Sequence, residues 1–460
     1  MTRLRSDAVR TTAGNLLAVS LTGLLTLGLP RFLDGREYGE WQMYQFFCLY
    51  LGYVTFGVTD GVFVRAAGAV ESRLRELLLG SQLRTFAVLL GIALALGAGL
   101  FVTLSTSRTL AYAFVIASVA SWFFCLRTFI TVLWQARRKT AAFSLVVVLE
   151  RAVAFALVAA LLLAGVDEVL PLVLCDLAGK VAALAWCLFQ VTDIPYERAA
   201  TVSQGFGEFV ASCRVGTPLL VANLAAAGIY GVVRLFVQHG WGLVVFGRIS
   251  LALTLANMAL VAINSFSVVL VPALKERADL VAPLRTVKSA LLLPICLALL
   301  AYFPLAALVH LVVPDPELPV RALAVLFPLC AFEVKMRLIG GSFLRAVDRG
   351  GLLMTISVAT TLLSVPLFAV VLLWRDLDSL LLSFVALLAV RSLVVELATT
   401  RSVGGAFGRA WALELVAIAA FLASVMLLPW ALALIIYLAV AVALVLIHRR
   451  TTVTSRTIST

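Results

Sequence analysis

About fourteen apolar stretches follow one another along this chain, each close to the ~20 residues that cross a bilayer as a helix. Hydrophobic residues make up 63% of the 460 residues and charged residues only 13%. A soluble domain carries roughly 25% charged residues, so almost no sequence is left for one. The chain is therefore predicted to be an all-α polytopic membrane protein with about fourteen transmembrane helices.

The predicted spans share high hydropathy and are separated by short polar gaps. They cover residues 13–33, 41–64, 85–104, 110–135, 141–164, 169–191, 214–238, 242–273, 289–312, 319–344, 352–374, 380–400, 411–428 and 430–448.

Lysine and arginine mark one side of these spans. Most of the 36 basic residues lie before the first span, after the last span, or in every second gap. The positive-inside rule makes that side cytoplasmic and predicts that both termini are cytoplasmic. The net charge of +12 belongs to these loops and faces lipid headgroups, which argues against nucleic acid as a partner. The opposite gaps hold only Arg31, Arg36, Arg108, Arg321 and Arg375.

A polar segment, residues 192–213, divides the first twelve spans into two sets of six. We therefore predict an N-terminal six-helix lobe in residues 1–191 and a cytoplasmic linker in residues 192–213. A C-terminal six-helix lobe would follow in residues 214–400. Residues 401–460 would then form a terminal two-helix hairpin and a cytoplasmic tail.

The motifs of common catalytic sites do not occur in the sequence. It contains no GxxxxGK[ST] phosphate loop, no HExxH and no GxSxG. Its seven cysteines form no CxxC pair, and its three histidines are scattered, so no metal site is expected. We predict that the protein is not an enzyme and has no catalytic residues, cofactor or metal.

Eight basic residues remain inside the predicted spans, where the positive-inside rule does not explain them. A charge at the centre of the bilayer costs about 2.5–3.5 kcal/mol on insertion scales, so each should face protein or water. The eight residues are Arg127, Arg151, Lys180, Arg234, Arg248, Lys335, Arg337 and Arg391.

Helical spacing separates paired from unpaired charges. Asp176 and Lys180 are four residues apart, as are Glu333 and Arg337, and each pair is expected to meet on one helix face. Arg127 and Lys335 are expected to snorkel toward the cytoplasmic surface. Adjacent residues point about 100° apart, so Glu150 and Arg151 cannot satisfy each other and need partners elsewhere.

Unpaired arginines are candidates for binding phosphate, because the guanidinium fork matches phosphate oxygens. For each one alone, bonding to carbonyls at a helix end is an equally good explanation. The candidate substrate-binding residues are Arg31, Arg151, Arg234, Arg248 and Arg391. The carboxylates that could couple transport to a proton or cation are Asp60, Glu150 and Glu396.

Four segments resemble the polysaccharide and O-antigen flippases of the multidrug/oligosaccharidyl-lipid/polysaccharide (MOP) transporter superfamily. Residues 31–39, RFLDGREYG, resemble the first external turn of these proteins, and GVTDG (57–61) followed by Arg65 resembles the end of their second helix. The hairpin of spans seven and eight, ending in PAL (272–274), and the loop FLRAVDR (343–349) are also similar. The resemblance covers most of the chain through diffuse patterns.

The resemblance implies two six-helix lobes that move a polyprenyl-diphosphate-linked glycan to the outer leaflet of the inner (plasma) membrane by alternating access. Membrane lipids and a glycan polymerase or other assembly proteins are the implied partners. Two other functions remain open, a cation-coupled drug exporter of the same superfamily and a non-transporting scaffold for glycan assembly. A lipid II flippase is a close relative that the sequence does not exclude.

Overall fold

The computed structural model describes residues 2–69, 76–191, 202–260, 279–347, 349–404 and 410–457. Within these ranges the chain is helical with short connections and contains no strand, which confirms the all-α prediction. Nine of the described helical segments are long and apolar enough to cross a membrane, and Trp411–Leu427 is a shorter apolar helix. The orientation of the termini stays a prediction.

Eight helices are described before residue 260, and a short 3₁₀ turn, Leu29–Arg31, follows the first of them. They are α1 (Thr2–Gly28), α2 (Gly35–Leu51), α3 (Val58–Ala66), α4 (Leu79–Leu104), α5 (Arg108–Ala136), α6 (Thr140–Leu163), α7 (Val169–Gln190) and α8 (Val202–Ala259).

In the described ranges after residue 279 there are ten more helices, with a π-helical stretch, Met336–Gly341, between the fifth and sixth of them. They are α9 (Val281–Ala290), α10 (Leu292–Leu300), α11 (Tyr302–Val312), α12 (Glu317–Leu326), α13 (Leu329–Lys335), α14 (Ser342–Ala346), α15 (Gly350–Leu372), α16 (Leu377–Val403), α17 (Ala410–Leu427) and α18 (Trp430–Thr457).

The second predicted span is interrupted in its middle. Helix α2 ends at Leu51 and α3 begins at Val58, and two consecutive residues between them, Phe56 and Gly57, have positive φ angles of 53° and 78°. Glycine is required at 57, since an added Cβ would lie 2.6 Å from the backbone nitrogen of Thr217. Hydropathy does not detect this break, because the intervening residues are themselves mostly apolar.

Helix α8 contains both the seventh predicted span and the described part of the eighth. It is broken at Gly242, whose φ of 81° and ψ of −174° are not helical, at the place where the sequence predicts a turn. The predicted linker begins at residues 192–201, which lie outside the described part of the chain. Its remaining residues, Val202 to Cys213, are the first turns of α8.

The chain divides into two compact units. Unit 1 contains residues 1–224 and Leu243–Gly247, and unit 2 contains Ala225–Gly242 and residues 248–460. The division therefore falls inside α8, whereas the predicted division falls in the preceding linker. The lobe boundaries at residues 191 and 213 stay a prediction.

In unit 2 the terminal hairpin, α17 and α18, packs on the aromatic core. Phe421 of α17 and Tyr437 of α18 are fully buried, and their ring centroids are 5.4 Å apart. Phe421 also contacts Tyr302 with a centroid distance of 5.4 Å, and Tyr437 stacks on Phe303 at 6.3 Å. The hairpin is thus an integral part of unit 2.

Candidate functional site

Unit 1 contains a network of charged side chains contributed by helices α5, α6 and α7. The Arg127 Nη2 lies 3.0 Å from the Glu150 Oε2, and the side chains of both residues are nearly inaccessible, at 7% and 3% exposure. On α7, Lys180 pairs with Asp176, as the four-residue spacing predicts. A buried carboxylate without a partner costs several kcal/mol, so these two pairs hold α5 to α6 and stabilise α7.

The hydroxyl of Tyr44 on α2 completes the network. It donates a hydrogen bond of 2.8 Å to Asp176 Oδ2. Close packing of α6 on α7 depends on Gly179, because an added Cβ there would lie 2.6 Å from the Glu150 carbonyl oxygen and 3.0 Å from the Ala154 side chain. The sequence identifies neither of these contributions, since nothing in the spacing of Tyr44 or Gly179 links them to the charges.

Arg151 is the surplus cation of this network. Its guanidinium nitrogens lie 3.8 Å from Glu150 Oε1 and 3.9 Å from Asp176 Oδ1, beyond hydrogen-bonding distance, and its side chain is 30% exposed. Counted with Arg127 and Lys180, it makes three cations against two carboxylates. This arrangement leaves a partly accessible guanidinium whose donors could bind an anion.

Unit 2 contains a second network, in which two lysines and two glutamates alternate. Lys288 Nζ is 3.2 Å from Glu396 Oε1, and Lys335 Nζ is 2.6 Å from both Glu396 Oε2 and Glu414 Oε2. All four side chains are at most 10% exposed. The Lys288 ammonium also donates to the hydroxyl of Thr400 at 2.7 Å. We call these four charged residues the lysine–glutamate ladder, and its charges balance.

A cavity of about 150 Å³ lies beside this ladder. Lys335 and Glu414 form part of its wall, together with Ser392 and Trp411, and most of the other lining side chains are apolar. Since Lys335 is already neutralised by two carboxylates, the cavity offers little attraction to an anion.

The expectation that Arg127 and Lys335 snorkel to the surface is wrong. Each is buried, at 6% exposure, because a carboxylate on a neighbouring helix compensates its charge. Arg127 also lies over the ring of Phe124, with 4.8 Å between its guanidinium carbon and the centroid. Helical spacing could not reveal these partners, which come from other helices.

The expectation that Arg248 is unpaired is also wrong. Its Nη2 lies 2.5 Å from Asp315 Oδ2, in the loop before α12, and Asp315 is largely exposed. The other candidates are dispersed. Arg31 is exposed at the end of the 3₁₀ turn, and Arg234 is half-buried on α8.

Arg391 is the most deeply buried of the candidate arginines. It is 4% exposed, and its Nη2 donates to the Ser357 hydroxyl at 3.0 Å. Close by in unit 2, the expected pair of Glu333 and Arg337 is present, with 3.4 Å between Arg337 Nε and Glu333 Oε2. The Tyr230 hydroxyl donates to Glu333 Oε1 at 2.9 Å.

The candidate coupling carboxylates lie in three different environments. Glu150 belongs to the network of unit 1, and Glu396 belongs to the lysine–glutamate ladder of unit 2. Asp60 is half-buried in the first turn of α3 and forms no ion pair within the described residues. Their role in coupling stays a prediction, as does the role of the five arginines in substrate binding.

No known protein family and no curated protein matches the sequence. Solved structures do match the fold. The lipid II flippase MurJ in an inward closed conformation matches with a TM-score of 0.72 at 12% identity, over 97% of this chain and 100% of that one. An inward-facing multidrug resistance MATE transporter of the MOP superfamily matches with a TM-score of 0.62 at 14% identity, over 85% of this chain and 98% of that one.

A third match is a MOP superfamily transporter from Pyrococcus furiosus, described as having a binding pocket of reverse polarity. Its TM-score is 0.55 at 13% identity, over 86% of this chain and 95% of that one. The chain therefore has the all-helical fold of MurJ and the MATE transporters. The proteins that share the fold are transporters and not enzymes. At these low identities the likeness concerns the fold alone.

Proposed function

We propose that this protein is a flippase that moves a polyprenyl-diphosphate-linked oligosaccharide from the cytoplasmic to the outer leaflet of the plasma membrane. The observation that carries the proposal is the surplus guanidinium of Arg151 in a fold that matches a lipid II flippase over almost its whole length. The proposal includes a role for the glycan in surface polysaccharide biosynthesis, with a glycan polymerase as a partner.

The flippase match covers more of this chain than the MATE matches do. The match to the flippase leaves only 3% of this chain uncovered, less than the length of the terminal hairpin, so the hairpin is included. The MATE matches leave 14 or 15% of this chain uncovered. Because the hairpin packs into the core of unit 2, it belongs to the architecture that a related transporter should share.

The chemistry of Arg151 suits a diphosphate headgroup. A guanidinium can donate two parallel hydrogen bonds to phosphate oxygens, and charge-assisted bonds of this kind are roughly twice as strong as neutral ones. The carboxylates beside Arg151 are already engaged by Arg127 and Lys180, so its own donors are available. A cationic drug would be repelled by the excess positive charge of this network.

The test is a flipping assay in proteoliposomes that contain the full chain and a fluorescent prenyl-diphosphate oligosaccharide. We expect the purified protein to expose the glycan to a membrane-impermeant glycosidase faster than empty liposomes do. A short prenyl diphosphate should compete with the substrate and slow this exposure. The free oligosaccharide, without its lipid, should not compete. Exposure at the rate of empty liposomes would contradict the proposal.

A cation-coupled exporter of small molecules is the second candidate, supported by the MATE fold matches. It predicts that the same proteoliposomes accumulate a lipophilic cation against a proton or sodium gradient. Uptake of such a cation with no glycan exposure would favour this second function over the first.

A further inference from the structure

In the part of the chain that the structure describes, the Arg391 guanidinium lacks hydrogen-bond partners for two of its three nitrogens, and it lies in a membrane-spanning helix, where this is energetically unfavourable. Its Nε and Nη1 are buried and make no hydrogen bond, and within the described residues no carboxylate lies within 4 Å. A buried charge that lacks a counter-charge destabilises a protein by several kcal/mol. Residue 391 also lies near the middle of a predicted span, where insertion of a charge costs about 2.5–3.5 kcal/mol. An anion that the described residues do not supply would stabilise an arginine in this state.

The groups around Arg391 are hydrogen-bond donors. Ser357 is 3% exposed and contacts Arg391 directly, while Tyr230 is close enough for the charges of both Arg391 and Arg337 to act on its hydroxyl. Arg337 lies in the π-helical stretch after α13, where helical irregularities often accompany functional sites. Two guanidinium groups and two hydroxyls thus lie in this part of unit 2, and the Glu333 carboxylate contacts Tyr230 and Arg337 among them.

Glu333 occupies the position that an external anion would take. Its carboxylate accepts from the Tyr230 hydroxyl at 2.9 Å and pairs with Arg337 at 3.4 Å. These contacts reproduce what a phosphate oxygen would receive from the same donors. The Arg337 side chain is 37% exposed, whereas that of Glu333 is 13% exposed, so the cluster can be approached from the Arg337 side.

We propose that Arg391, Arg337, Tyr230 and Ser357 form a second anion site, in unit 2, for a phosphate-class anion, and that Glu333 is its internal competitor. With no anion bound, Glu333 holds Tyr230 and Arg337 while Arg391 keeps only its bond to Ser357. An arriving phosphate or diphosphate takes the donors from Glu333 and engages the unused nitrogens of Arg391. This site does not depend on the proposed flippase function, because a free phosphate and a lipid diphosphate present the same oxygens.

The test is direct binding of inorganic pyrophosphate to the purified full chain in lipid nanodiscs, followed by ³¹P NMR and calorimetry. Glu333→Gln removes the competing charge and should raise the affinity for pyrophosphate by roughly tenfold, which corresponds to about 1.4 kcal/mol. Arg391→Gln should lower the affinity by a similar factor or abolish binding, and Arg391→Lys should retain part of it. Arg321→Gln is the matched control, because that arginine lies in the same unit, is exposed and is already paired with Asp378.

Equal affinity in the wild type and Arg391→Gln, or weaker binding in Glu333→Gln, would overturn the proposal. If Arg391→Gln fails to fold, the Glu333→Gln variant still tests the proposal, since it is expected to bind pyrophosphate more tightly than the wild type. Geranyl diphosphate distinguishes the source of the anion. Binding at least tenfold tighter than that of pyrophosphate would assign the site to a lipid headgroup, and equal binding would assign it to a free phosphate compound.

Discussion

The two buried charge networks differ in balance and in exposure. In unit 1, Arg127, Arg151 and Lys180 outnumber Glu150 and Asp176, and the surplus guanidinium is 30% exposed. The ladder of unit 2 has equal numbers of lysines and glutamates, all at most 10% exposed. A closed and neutral set of ions satisfies itself and holds helices together. A partly exposed network with one surplus cation can bind an anionic ligand. Buried charged residues thus hold helices together in unit 2 and are available for ligand binding in unit 1.

Removal of one lysine from the ladder should have the largest effect. In Lys335→Met, Glu414 loses its ion-pair partner and Glu396 keeps only Lys288, so we expect a loss of about 3–5 kcal/mol in the free energy of unfolding. Arg127→Met in unit 1 should cost less, because Arg151 remains near Glu150. Unfolding by SDS titration in mild detergent would compare the two variants.

The double variant Lys335→Met/Glu414→Leu is the control for this prediction. Since an apolar pair can replace a buried ion pair at little cost, it should recover much of the lost stability. If the single variant at Lys335 is no less stable than Arg127→Met, the distinction between a closed and an open network fails.

The second prediction concerns transport through the surplus cation. Arg151→Gln should lower the flipping rate by roughly tenfold to a hundredfold, because a hydrogen bond to a charged group contributes about 1.5–3 kcal/mol. Stability should fall less than in Arg127→Met, since the Arg151 guanidinium lies 3.8 and 3.9 Å from its two carboxylates, whereas Arg127 lies 3.0 Å from Glu150. Proteoliposome flipping and SDS unfolding would be measured on the same preparations.

Arg36→Gln is the matched control for Arg151, because Arg36 is exposed and pairs with Glu40 in the first turns of α2. It should leave the rate unchanged. A normal rate in Arg151→Gln would remove the reason to assign a binding role to the network of unit 1.

The smallest effect is expected outside both networks, at the exposed N-cap of α16. The Asp376 carboxylate accepts hydrogen bonds from the hydroxyl and from the backbone N–H of Ser379. These bonds, chiefly the one from the hydroxyl, hold the pKa of Asp376 below its usual value. Because the pKa is lowered in the folded state, this stabilisation is present above the unfolded pKa of about 3.9 and is lost as the pH falls through the folded value. The stability change on removing the charge of this exposed carboxylate can thus be compared with the changes expected for the buried charges.

Asp376→Asn keeps a good capping residue and removes only the charge. Thermal unfolding between pH 3 and pH 7 should show the variant slightly less stable at neutral pH and equal to the wild type at the acidic end. A difference that does not depend on pH would show that the hydrogen bonds to Ser379 do not act through the carboxylate charge.

Hydropathy is sufficient to predict an all-helical membrane protein, because each apolar stretch must become a helix to satisfy its backbone in lipid. Nine of the described helical segments are long and apolar enough to cross a membrane. Hydropathy did not predict the break between Leu51 and Val58, which depends on the close approach of Gly57 to Thr217. Helical spacing predicted the pairs Asp176–Lys180 and Glu333–Arg337. These are local, so the sequence contains all the information they need.

Pairs between distant helices could not be predicted in this way. Arg127 with Glu150 and Arg248 with Asp315 are brought together by tertiary packing, and no spacing rule links them. Lys288 lies in the gap between the predicted spans 242–273 and 289–312, although it is a member of the lysine–glutamate ladder. The sequence therefore identified the charged residues but not which of them are neutralised.

The path of α8 has a consequence for how this protein is made. Unit 1 includes residues up to 224 and then Leu243–Gly247, so it is incomplete when residue 190, the last of α7, leaves the ribosome. At 5–20 residues per second, the interval to residue 247 lasts roughly three to eleven seconds. During that time α1 to α7 lie in the membrane without the part of α8 that completes unit 1. A stalled or truncated nascent chain of that length should be a preferred substrate for membrane quality control.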